Sequence, residues 1–160
     1  MAVDLIYNMH RTKGYESDTS GFFFVDSARS AFSQLPIMWR DRGILGGAKL
    51  AAKIILRRCC YFGVKHERQP LSTGVLALGY CRFYPVPADA IVIGEIETAP
   101  ASRGRGYATR AIMLAIGTMV KKGSTNFYID TQRQNAPMIK SISKLGFGRP
   151  IGGDAAVEQP

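Results

Sequence analysis

The sequence predicts one mixed α/β domain, built on a central, mostly antiparallel sheet that contains one parallel pair and carries helices on its faces. Three β-rich runs follow one another between residues 61 and 99 with only polar turns between them, the pattern of consecutive antiparallel strands. A strand, a helix and a strand then alternate from Ile91 to Asp130, and such a crossover returns the chain parallel to its starting strand. The turn inside that unit, Arg103-Gly104-Arg105-Gly106-Tyr107-Ala108, sets two glycines and two arginines at a helix N-terminus, which is an arrangement for binding an anion.

A chain of 160 residues, 46% hydrophobic and 21% charged, has the size and composition of one globular domain. Its net charge of +9 favours an anionic ligand, a nucleic acid or an acidic membrane surface. The three cysteines, Cys59, Cys60 and Cys81, lack metal-ligand spacing and read as reduced thiols. Met1 to His10 carries Asp4 and is too short for a signal peptide's apolar segment, and no run of 18 apolar residues occurs. The expectation is a cytoplasmic protein without a metal.

In chain order, Val3 to Met9 alternates weakly as a first strand, and His10 to Ser20 is a polar loop. Phe22-Phe23-Phe24-Val25 is a short strand or a docking anchor. A helix from Asp26 puts Ala28, Ala31, Phe32 and Leu35 on one side, and Pro36 is expected to stop it. From Ile44 to Cys60, Lys49, Lys53 and Arg57 recur at helical spacing as a basic face. Tyr61 to Lys65 and Gly74 to Tyr84 form a hairpin, the second run stopped by Pro85 and Pro87. Ile91 to Ala99 is the third strand, closed by Pro100. Ala108, Ala111, Ile112, Ala115, Ile116 and Met119 then trace a helix ended by Lys121-Lys122-Gly123. Asn126 to Asp130 is a strand parallel to the Ile91 run; where the two splay, a V-shaped slot opens. Asn135 caps a last helix with Pro137 in its first turn, Met138, Ile142 and Leu145 as its stripe, and Gly146 as its stop.

The glycine turn is not a dinucleotide fingerprint, because Thr109 stands where a third glycine belongs. Nor does it end in the Gly-Lys-Ser/Thr of a nucleoside triphosphate loop. It fits Arg/Gln-x-x-Gly-x-Gly/Ala at Arg103, Gly106 and Ala108. That pattern resembles the acyl-CoA pyrophosphate loop of the GNAT superfamily of N-acetyltransferases. A second motif follows about thirty residues on: Asn135, then Ile139, Ile142, Lys144, Leu145, Gly146 and Phe147, similar to the family's asparagine and short helix ending in Gly-Phe. The resemblance covers Ile91 to Phe147.

The resemblance implies a GNAT-like sheet over residues 1–147 with a shortened C-terminal end, residues 148–160 forming a flexible tail. It implies acetyl-CoA as acyl donor. Main-chain groups from Arg103, Gly104, Arg105, Gly106, Tyr107 and Ala108, with the Thr109 hydroxyl, would hold the pyrophosphate. Glu97, Thr98 and Ala99 would pair with the pantetheine, a bulge in their strand would supply an oxyanion donor, and Asn135 would contact the same arm. Glu95 and Glu97 are the candidates for the base; ideal alternation places both on the face of Ile91 and Ile93, unless the bulge separates them. The tyrosine that many members carry two residues before the motif lysine is Ile142 here, leaving Tyr107, Tyr128, Ser141 or water to protonate the thiolate. Trp39, Arg40, Asp41 and Arg42 fall where the family shapes its acceptor pocket, although Trp39 equally fits a core cap. Only thirteen residues follow Phe147, so the closing strand of the family is either absent or supplied by the N-terminal segment or by a second subunit.

The expected partner is a small-molecule amine acceptor, with a homodimer compatible. A nucleic acid or membrane surface bound through the basic face over 49–58, with the CoA pocket regulatory, is the other reading. No aromatic residues interleave those cations, which counts against it.

Overall fold

The computed structural model describes residues 4–152. Its six strands are β1 (Leu5–His10), β2 (Phe22–Val25), β3 (Cys59–His66), β4 (Gln69–Leu78), β5 (Ile91–Thr98) and β6 (Asn126–Thr131). The helices are α1 (Ala28–Ile55), α2 (Tyr107–Lys121) and α3 (Ala136–Lys144), with a single 3-10 turn at Pro100–Ser102. The strands lie in the order β1-β6-β5-β4-β3-β2, and every neighbouring pair is antiparallel except β5 and β6. The mixed sheet and its parallel pair are as expected.

The two faces of the sheet bury separate cores, because alternation sends neighbouring residues of a strand to opposite sides. Leu76, Ile91, Ile93, Phe127 and Ile129 pack under Ile112, Ile116 and Met119 of α2 and Ile142 of α3. Tyr61 and Val75 face the other way, against Met38, Leu50 and Ile54 of α1.

Three expectations change. Pro36 sits inside α1, and the helix breaks instead at Gly43, whose φ of 71° and ψ of 169° are open to glycine. The two limbs of α1 fold tightly together there: a Cβ on Gly47 would lie 2.6 Å from the Trp39 ring. Trp39 therefore packs on the kink while remaining 43% exposed, and Phe32, placed with Ala28, Ala31 and Leu35 on one side, is 69% exposed while Ala31 is buried. Second, α1 ends at Ile55, so Lys49 and Lys53 share its surface but Arg57 lies past the cap in the left-handed region, φ 54°. The helical stripe that carried the macromolecule reading is thereby shortened. Third, β4 stops at Leu78 rather than Tyr84. Gly79 turns the chain with φ 63°, and its N–H bonds Ala90 O at 2.7 Å, closing a loop over residues 79–90.

The N-terminal segment supplies the strand beside β6. All six residues of β1 pair with it, from Leu5 opposite Thr131 to His10 opposite Asn126, and Leu5, Tyr7 and Met9 are buried. Since β1 and β2 occupy opposite edges, residues 11–21 must cross the molecule, and they do so over α2. Gly14 meets Gly117 of α2, the Tyr15 hydroxyl donates to Leu145 O, and Arg110 grips Asp18 and Ser20 O. Beyond Phe147 the chain returns to β1, where Ile151 N–H donates to Ile6 O and Ile6 N–H to Gly152 O. Of the expected tail over 148–160, residues 153–160 lie outside the described residues, as does Val3 of the expected first strand.

Candidate active site

β5 and β6 pair only at Ile91–Phe127, Val92–Tyr128 and Ile93–Ile129, although both strands continue beyond. The reason lies on the other side of β5. Val75 pairs with Gly94 and Thr73 with Glu97, so Glu95 and Ile96 together face the single residue Gly74. This is a β-bulge, and Glu95 takes the left-handed conformation, φ 51°. Gly74 is needed opposite it, since a Cβ there would stand 2.5 Å from Ile96 and from the Phe62 ring.

The bulge also decides where the two glutamates point. Neither stays on the face of Ile91 and Ile93. Glu95 reaches Arg42 on α1, and Glu97 pairs with Thr73, whose hydroxyl bonds Asp41 on the same helix. The extra residue turns both carboxylates to the α1 side, while Ile96 keeps its place in the core under α2.

A cleft of about 960 Å³ opens at this splay. One wall is β4 and β5, through Leu71, Ser72, Thr73 and the residues from Ile96 to Ala99; the other is the glycine turn, the start of α2, and α3. The glycine turn suits an anion for reasons that are local. Gly104 and Gly106 have φ of 75° and 79°, and the first intrahelical bond of α2 is Arg110 N–H to Gly106 O. The N–H groups of Tyr107, Ala108 and Thr109 precede it, and no side chain caps the helix. Arg103 folds its guanidinium back to Thr98 O at 3.2 Å, joining the turn to the end of β5. Charge runs along the cleft from Arg103, Lys140 and Lys144 to Glu97 and Asp41.

Most residues expected to touch the donor come together here: Glu97, Thr98, Ala99, Arg103, Gly104, Gly106, Tyr107, Ala108, Thr109 and Asn135 all line the cleft. Arg105 and Glu95 do not. Arg105 is exposed on the outside of the turn, and Glu95 is drawn away by Arg42 at 2.6 Å. Asn135 accepts from Met138 N–H at 3.3 Å as the cap of α3. Of the thiolate acids considered, Tyr107 and Ser141 line the cleft, whereas Tyr128 lies on β6 beside the Tyr84 ring. Ile142 is 1% exposed and wholly in the core. Ser141 is held by Thr109 across the two helices, Oγ to Oγ, 2.9 Å. Of residues 39–42, Arg40 and Asp41 line the cleft; Arg42 bonds Glu95 instead, and Trp39 packs at the kink.

Sequence reasoning missed the β4 wall and the α3 lysines. Ser72 and Thr73 are each 1% exposed, polar residues on a strand that otherwise buries apolar side chains, which is the signal that marks them. Lys140 and Lys144 stand at i, i+4 on α3, facing the same cleft.

This geometry meets an independent comparison of sequences. The sequence model of the Acetyltransferase (GNAT) family matches residues 24–147. The chain belongs to the GNAT acetyltransferase family. None of the curated proteins matches it. Solved structures resemble it as folds. A GNAT-family acetyltransferase from Colwellia psychrerythraea has a TM-score of 0.63 at 16% identity, over 92% of this chain and 53% of its own. A GCN5-related N-acetyltransferase from Kribbella flavida gives 0.58 at 13%, over 98% and 61%. The aminoglycoside acetyltransferase AAC(6')-Iy, in complex with a bisubstrate analogue of CoA and acetylneamine, gives 0.56 at 16%, over 81% and 92%. This GNAT chain thus spans little more than half the length of the first two. Its β1, outside the family match, completes the sheet beside β6.

Proposed function

We propose that the protein transfers an acetyl group from acetyl-CoA to a primary amine of a small molecule. The observation that carries this is the uncapped start of α2, with its two left-handed glycines, opening into a cleft that ends at a bulged strand. A diphosphate matches the free N–H groups and the helix dipole. The pantetheine arm would lie along Glu97 to Ala99, opposite Asn135. Its thioester would then reach the bulge, where the residue excluded from the ladder frees a main-chain N–H for the carbonyl oxygen.

In this reading the amine attacks the carbonyl carbon, its proton passes to a carboxylate, and the tetrahedral intermediate expels CoA as thiolate. Glu97 is the better base. It lines the cleft and, among the described residues, has no ion-pair partner, whereas Glu95 lies outside the cleft with its carboxylate held by Arg42 at 2.6 Å. The thiolate takes its proton from Tyr107, Ser141 or water. An amino sugar is one acceptor class to try, since AAC(6')-Iy, similar in fold, was solved with a neamine-based analogue. Homodimerisation and a cytoplasmic location fit this reading. Among the described residues no helix is long and apolar enough to cross a membrane.

The test is CoA release from acetyl-CoA against a panel of amino sugars, amino acids and polyamines. The expected result is release with at least one of them, reduced ~10²-fold or more in Glu97→Gln with acetyl-CoA affinity kept. An equally active Glu97→Gln would remove that residue as base; no release with any amine would count against the transfer itself.

A further inference from the structure

Glu95 is not glycine, yet it occupies the left-handed region, a strained conformation for a side chain that something must offset. The contacts show what does. Arg42 donates from one terminal nitrogen to the Glu95 carboxylate at 2.6 Å and from the other to the Glu95 carbonyl at 3.1 Å. Its Nε donates to Asp41 at 3.0 Å. The same Asp41 oxygen accepts from Tyr61 of β3 at 2.8 Å and Thr73 of β4 at 3.0 Å. One guanidinium therefore ties the bulged residue, by side chain and by main chain, to a nearly buried carboxylate that is itself anchored in two other strands. The anchor adjoins Gly43, where α1 breaks and presents residues 41 and 42 to the sheet.

We infer that Arg42, oriented by Asp41, is a positioning residue that holds Glu95 in its left-handed conformation and so aims the freed main-chain N–H of the bulge at the acyl carbonyl. Arg42 does not line the cleft; it acts through the backbone of β5. The Glu95 carboxylate is the handle by which the bulge is held, rather than a proton acceptor. Glycine at position 95 would adopt the same φ without a handle, so the clamp and the side chain are interchangeable with a glycine. This inference rests on acetyl-CoA being the ligand of the cleft.

The test needs no amine. Acetyl-CoA labelled with ¹³C at the thioester carbonyl is bound to the protein, and the carbonyl stretch is read by difference infrared spectroscopy beside a calorimetric affinity. In the wild type the stretch falls on binding, as a donor polarises the carbonyl. Arg42→Ala is expected to bind with an affinity within about threefold of wild type while losing most of that shift. Arg42→Ala/Glu95→Gly is expected to regain it. A full shift in Arg42→Ala overturns the inference, and so does a double variant that stays unshifted. Should Arg42→Ala fail to fold, Arg42→Lys, which keeps the charge but cannot span all three acceptors, is read against the same two outcomes. Wild type that fails to bind acetyl-CoA defeats the proposed function first and this inference with it, a result distinct from binding without a shift.

Discussion

Asp130 shows how a single side chain off the cleft sets a pH dependence. It lies one residue past the last β5–β6 rung, and Tyr84 from the 79–90 loop donates to it at 3.0 Å. Burial pushes its carboxyl above the usual range, although the Tyr84 hydroxyl pulls the other way. A raised folded-state value means that the native protein holds the proton more tightly than the unfolded chain. The resulting stability is complete below about pH 3.9, the unfolded value, and is lost as pH rises through the folded value. Asp130→Asn keeps an acceptor for Tyr84 without the buried charge. It is expected to raise the midpoint of thermal unfolding at pH 7 and to leave it little changed at pH 3.5; equal effects at both would deny the assignment. The glycines of the turn were legible as residues because their role is backbone freedom, which composition reveals. Glu95 was not, since nothing in the pattern of Ile91 to Thr98 announces a left-handed glutamate. Only the partner strand, with Gly74 set opposite, creates the bulge.

At the scale of elements, periodicity and capping located β5, α2, β6 and α3, whose signals are local: a β-branched run, an apolar helical stripe, Asn135 before Pro137. It failed where tertiary contacts overrule propensity. Pro36 carries the signal of a stop, yet α1 continues through it because Ile37 and Met38 are buried against the sheet, at 5% and 0% exposure. Tyr80 to Tyr84 looked like strand but follows Gly79, which turns the chain away from the ladder. β1 is the element whose weight the weak alternation of residues 3–9 conceals. Truncating Tyr7, 6% exposed between β6 and the α2 side of the core, removes packing that residues 24–147 do not replace. Tyr7→Ala is expected to cost about 3–5 kcal/mol in urea unfolding, the range of large aromatic truncations. A loss below ~1 kcal/mol would show β1 to be an ornament on a domain that stands without it.

Over the whole molecule, the parts answer to one discontinuity. The chain of contacts from Asp41 through Arg42 braces the bulge that Gly74 admits, the bulge parts β5 from β6, and the gap so made lies against the uncapped start of α2. The strap over residues 11–21 and the Thr109–Ser141 bond hold α2 and α3 on that face. A net charge of +9 is partly accounted for by Arg40, Arg103, Lys140 and Lys144 along this cleft, whereas Lys49 and Lys53 of α1 do not line it. The fold class and the anion turn could be read from residues 91–147 because the motifs there are contiguous. The wall of the cleft formed by Arg40, Asp41, Ser72 and Thr73 could not, because it is assembled from α1 and β4, segments far from those motifs in sequence.

The central claim is that the glycine turn and α2 hold the diphosphate of acetyl-CoA, and calorimetric titration tests it most directly. Wild type should bind acetyl-CoA, and Arg103→Ala/Gly106→Glu should lose that binding while still folding, at an unfolding temperature lowered only by the backbone strain at position 106, since a Cβ on Gly106 meets nothing within 4 Å. A glutamate there would strain the left-handed backbone and set a negative charge where the phosphates belong. Undiminished binding by the folded variant, or none by the folded wild type, would contradict the account.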